Sequence, residues 1–131
     1  MKTLLLAALM VAITPAMAAP CGEHLDAQAR RQIEAGGVTL AYAPQPSPIP
    51  LDRHFKLAIV VCGVQAAALR VDADMPAHRH GMNYRATVQT AGDGRFEAQG
   101  LLFHMPGRWR LIFDVDTGGK TVRLSQELEV R

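Results

Sequence analysis

From Gly37 onward, apolar and polar residues alternate with a period of two, in short runs separated by turn-forming residues. Val38, Leu40 and Tyr42 alternate with Thr39, Ala41 and Ala43, and Leu69, Val71, Ala73 and Met75 alternate with Arg70, Asp72 and Asp74. Trp109, Leu111, Phe113 and Val115 do the same against Arg108, Arg110 and Asp114, while Val122, Leu124, Gln126, Leu128 and Val130 share a face near the end. Successive residues of a strand point to opposite faces, so each run has one face that must be buried against another layer. Phe55 to Cys62 reads as a near-continuous apolar strand. Gly92-Asp93-Gly94 turns a strand from Tyr84 to Thr90 into one from Phe96 to Phe103, and Thr117-Gly118-Gly119-Lys120 makes the last turn. These seven runs predict an all-β chain, an immunoglobulin-like antiparallel β-sandwich with the lone Trp109 as its core anchor.

The N-terminal third is organised differently. Lys2, the apolar run Leu4 to Ile13 and the small residues Ala16 and Ala18 form a leader, too short to remain as a membrane span, with cleavage after Ala18. Residues 1–18 are thus expected to be a signal peptide, 19–36 an N-terminal segment and 37–131 the sandwich domain. Glu23 to Ala35 has helical composition and predicts a short helix or turn stopped by Gly36-Gly37. Pro44 to Pro50 is a stiff, proline-rich connector that excludes helix. The 113 residues after the leader fit one compact core. Export to the periplasm or the medium places Cys21 and Cys62 in an oxidising compartment, where pairing with each other is the default. After the leader, 13 basic residues are balanced by 12 acidic ones, interspersed along the chain. That pattern is a solvated surface rather than a nucleic-acid footprint, and no second apolar run is long enough to cross a membrane.

Chemistry concentrates in two short segments. Asp72 to Tyr84 and His104 to Gly107 together hold three of the five histidines, His78, His80 and His104. They also hold every methionine beyond the leader: Met75, Met82 and Met105. Imidazole and thioether are neutral ligands suited to copper, and thioether favours Cu(I). If the first segment is extended, His78, His80 and Met82 project the same way. The two segments flank an out-and-back strand pair, which brings them to one end of the sandwich. The candidate ligands are therefore His80, Met82 and His104, with His78 and Met105 as auxiliaries. Each also has a packing explanation: methionine commonly fills core gaps, and histidine commonly caps loop backbone. His24 and His54 stand alone and read as surface residues.

Enzyme signatures are missing. There is no nucleophile elbow, no phosphate-cradling glycine loop and no zinc helix, and serine occurs only at Ser47 and Ser125. Asp72 and Asp74 read as the solvent face of an alternating strand.

The motif Asp72-Ala73-x-Met75-Pro76-x-His78-x-His80-Gly81-Met82-Asn83-Tyr84, with Gly100-Leu101-x-Phe103-His104-Met105-Pro106-Gly107-x-Trp109, resembles the YtkA-like family of small exported immunoglobulin-like domains. More distantly, it is similar to FixH-type proteins linked to copper oxidase assembly. The resemblance covers roughly Thr39 to Val130. It departs at Arg79, which stands between two histidines where a small residue such as glycine is expected. Together these readings predict a periplasmic, non-enzymatic copper-binding or copper-delivery protein whose partner is a membrane oxidase or a metal transporter. The alternative is an exported interaction module, or an accessory subunit of a membrane complex, in which the His/Met loops are structural.

Overall fold

The computed structural model describes residues 19–131, together with Ala12, Pro15 and Met17. The leader read over residues 1–18 otherwise lies outside the described residues. Nine strands form two antiparallel sheets: β1 (Arg31–Ala35), β2 (Val38–Gln45), β3 (Phe55–Cys62), β4 (Ala68–Met75), β5 (His80–Gly81), β6 (Thr87–Gly92), β7 (Arg95–Leu101), β8 (Gly107–Asp116) and β9 (Thr121–Val130). One sheet has the order β1-β2-β3-β7-β6 and the other β5-β4-β8-β9. Among the described residues there is no helix, and none is long and apolar enough to cross a membrane. The immunoglobulin-like sandwich expected from the alternation is therefore present. Its seven expected strands are joined by β1 and the two-residue β5, both at sheet edges.

Between the sheets the alternating apolar faces meet. Leu40, Leu57, Ile59, Met75, Phe103, Trp109, Leu111 and Phe113 are all essentially inaccessible to solvent. The rule-of-two pattern is clearest in β4, where Leu69, Val71, Ala73 and Met75 are buried and Arg70 and Asp72 are exposed. Arg110 and Arg108 lie on β8 with Asp114 and Asp116. They pair across strands instead: Arg110 bridges Asp74 through two bonds of 2.9 and 2.6 Å, and Arg108 lies 3.8 Å from Glu127. Asp74 lies directly opposite Arg110, while Glu127 is the diagonal neighbour of Arg108, still within reach of a long side chain.

The N-terminal segment resolves into turns followed by a strand, so the helical option for Glu23 to Ala35 fails. Residues 31–35 have a better use as β1, which pairs with β2 in register from Arg31↔Tyr42 to Ala35↔Val38. A helix of this length would be marginal without packing. Leu25 and Ala29 in the preceding turns bury against Ala41, Ala43 and Val60 on the outer face of the first sheet. The Cys21–Cys62 disulfide pins that segment to the end of β3, with Cα atoms 6.0 Å apart.

Candidate metal centre

The two chemistry-bearing segments do reach the same end of the sandwich. Residues 76–79 form a tight turn between β4 and β5, and the amides of His78 and Arg79 both donate to the Met75 carbonyl (3.0 Å each). His80 then pairs directly opposite Met75. This corrects the extended reading of the segment, because the chain folds back within four residues. Arg79 takes φ of +56°, the left-handed conformation that ends such a hairpin loop and that glycine adopts at no steric cost. The departure at Arg79 therefore falls where a residue without a Cβ would be most at ease.

Even so, the turn brings the imidazoles together. The ring centroids of His78 and His80 are 5.7 Å apart, and those of His80 and His104 are 5.3 Å apart. His80 forms the middle of a row of three. Beneath it lies Trp109, fully buried, with the His80 ring 6.1 Å and the His104 ring 5.5 Å from the indole, both edge-on. Phe103 stacks on the indole with ring centroids 4.4 Å apart. The Trp109 Nε1–H donates to the Met105 carbonyl (2.9 Å), fixing the loop that carries His104. Beside it, Gly107 lets Met75 pass below the loop, since a Cβ there would come within 3.1 Å of the Met75 Cε. Thus Trp109 is the floor of the histidine row as well as the core anchor.

Two ring nitrogens stand out. With Nδ1 protonated, His80 donates to the Gly81 carbonyl oxygen (3.1 Å), which leaves Nε2 as the lone-pair nitrogen. That is the arrangement in which a backbone carbonyl orients a metal-binding imidazole. His104 Nδ1 is buried and has no hydrogen-bond partner, alone in this among side-chain nitrogens and oxygens of the described residues. The planes of the His80 and His104 rings are tilted by 35°, and a metal shared by the two would lie about 2 Å from one nitrogen of each, in the plane of its ring.

The thioethers behave otherwise. Met75 is fully buried, and Met82 and Met105 pack against the core. Among the described residues, no three His, Cys, Asp or Glu side chains converge as a ready-made metal site. What the fold assembles is a pair of neighbouring imidazoles, His80 and His104, with His78 exposed at the rim. Cys21 and Cys62 are consumed by their disulfide, so no thiolate is free among the described residues.

Two features were not read from the sequence. His54 is not isolated, because its ring meets the half-exposed Tyr84 edge-on at 5.0 Å. The loop before β3 is tied to the His104 loop by the Asp52 amide, which donates to the Phe103 carbonyl (2.9 Å). The only signal was the Tyr84 that closes the first motif. The second feature is a groove along the outer edge of β4, lined by Leu69, Val71 and Met82. It arises because β5 is too short to cover that edge, and strand length is poorly encoded in alternation.

No protein-family model and no curated protein matches the chain. Among solved structures it is similar to a DUF4426 family protein of Pseudomonas aeruginosa PAO1, with a TM-score of 0.52 and 10% identity. That likeness spans 81% of this chain and 99% of the other. At such low identity it shows the fold alone, a small β domain.

Proposed function

We propose that the chain is an exported, non-enzymatic copper-binding protein that holds Cu(I) between His80 and His104 and hands it to a membrane oxidase or metal transporter. The observation that carries this reading is the neighbouring His80–His104 pair, 5.3 Å between centroids, in which one buried nitrogen has no partner among the described residues. Cu(I) accepts soft, neutral ligands, and His78, Met82 and Met105 are the side chains near enough in sequence to complete its shell. Imidazole and thioether without thiolate bind moderately, which suits handover better than storage. The disulfide agrees with an oxidising compartment. The YtkA-like resemblance belongs to the same reading and rests on its two motifs.

A second reading draws on the methionines. Met82 and Met105 lean on the core, as gap-filling side chains do, and this favours an exported interaction module with structural His/Met loops. An anaerobic titration of residues 19–131 with Cu(I) against a chromophoric chelator separates the two. The parent should take up one equivalent, and the variant carrying His80→Ala, Met82→Ala and His104→Ala should take up none. If the folded parent leaves the metal with the chelator, the copper reading is wrong and the search moves to protein partners.

A further inference from the structure

Strand β4 is paired with β8 from Ala68 to Asp74, but on its other side β5 covers it only at Asp74 and Met75. The Ala73 carbonyl accepts from the Met82 amide on that side (3.3 Å). The Ala73 N–H receives no strand partner there and is capped by the Asp72 carboxylate (2.8 Å). Residues two apart in an antiparallel ladder turn their N–H and C=O the same way. Leu69 and Val71 therefore aim their backbone groups at the side where no strand lies among the described residues. An open groove of about 670 Å³ runs along this edge, closed on its far wall by Val88 of β6 and by the loop from Met82 to Ala86.

Natural sheets guard such edges with charge, proline or a covering loop. Here the charges are largely committed. Asp114 is held by Arg123 (2.7 Å) and approached by Arg70 (3.6 Å), and Asp72 caps Ala73. Arg85, on the groove wall, makes no ion pair among the described residues. The groove thus offers two N–H and two C=O groups in strand register, a largely polar lining with Leu69, Val71 and Val88 among it, and one uncommitted cation.

We propose that this edge receives an extended segment of a partner protein as an added strand, bonded to the backbone of Leu69 and Val71 with an acidic side chain opposite Arg85. Strand addition of this kind takes its affinity from main-chain bonds and its selectivity from alternate side chains. The occupant is an acidic β-forming segment rather than a second copy, because each copy would bring the same unpaired Arg85 and face a like charge. The inference stands apart from the copper reading, although Met82 belongs to both surfaces.

The probes are two blocked hexapeptides alternating valine and threonine, one with a central glutamate and the other with a central lysine. They are titrated into the isotopically labelled chain while amide resonances are followed. The glutamate peptide should shift the amides of Leu69 and Val71 and slow their hydrogen exchange, and the lysine peptide should bind severalfold more weakly. Val71→Pro removes a groove-facing N–H while leaving the β8 ladder its bonds, and should abolish the shifts. Arg85→Glu, a surface change that does not threaten folding, should invert the preference between the two peptides. The proposal is overturned if Leu69 and Val71 do not respond, if the shifts fall on β6, or if Arg85→Glu changes nothing. Protection of Leu69 and Val71 that grows with protein concentration alone would also overturn it, by putting a second copy in the groove.

Discussion

Replacing His104 by phenylalanine should stabilise the metal-free protein. Leaving a buried polar atom unpaired costs about 1–3 kcal/mol, and His104 Nδ1 is such an atom. Phenylalanine keeps an aromatic edge against Trp109, which His104 meets at 5.5 Å, and it removes the orphaned nitrogen. Its slightly larger ring takes back part of the gain, so a net stabilisation of about 1 kcal/mol is expected. With an unfolding entropy of about 2.1 cal/mol/K per residue over a domain of this length, that raises Tm by about 4 °C. His80 provides the contrast: its ring nitrogen already has the Gly81 carbonyl, so His80→Phe should lower Tm by about the same amount. Both are measured by differential scanning calorimetry with a metal chelator present. A rise for His104→Phe that coincides with lost Cu(I) uptake is what a residue retained for ligation at a cost to stability should give. A fall in Tm for His104→Phe would refute the reasoning, because it would mean that the ring nitrogen contributes to the fold.

Removing the disulfide with paired Cys21→Ala and Cys62→Ala changes should cost about 4 kcal/mol, given the 41-residue separation. Thermal melts should show a drop of about 15–20 °C, and a drop of under about 5 °C would show that the N-terminal turns hold by packing alone. The Arg123 guanidinium hydrogen-bonded to Asp114 holds that carboxyl below the usual range, the effect of burial opposing it. This stability is present at neutral pH and is lost as the pH falls through the lowered value. Asp114→Asn should therefore melt lower than the parent at neutral pH and flatten the acid limb, and an unchanged acid limb would count against the pair. Burial pushes the Tyr42 hydroxyl up to about 12, against a smaller lowering by Arg31. Stability should hold below about 10 and be lost as the pH rises toward 12. Tyrosinate absorbance in a Tyr84→Phe background should then rise only alongside unfolding, and a reversible titration well below 12 in the folded state would contradict the burial argument.

The core could be read in advance because burial in a sandwich is a local pattern. Trp109, Leu111, Phe113 and Val115 announce a buried face whatever strand they lie beside. Arg31 to Ala35 could not be read so easily, since its residues suit a helix or a strand and only pairing with β2 decides. The histidine row was half legible. The motif residues were identifiable by type and position, but their approach depends on the turn at residues 76–79 and the left-handed Arg79, not on the strand alternation that suggested it. The methionines were read as ligands from the same spacing, yet Met82 and Met105 pack inward, because spacing fixes neither depth nor what lies beneath.

By itself, then, the sequence determined the fold class, the identity of the buried face and the disulfide partners. Period-two alternation, turn residues and a single pair of cysteines each allow few solutions. Tertiary structure alone decided which imidazoles lie side by side, that Trp109 floors the site and that, among the described residues, His104 Nδ1 lacks a partner and the edge of β4 is left open. Those properties depend on distances between segments far apart in the chain, which are set only when two sheets pack and their connecting loops meet at one end.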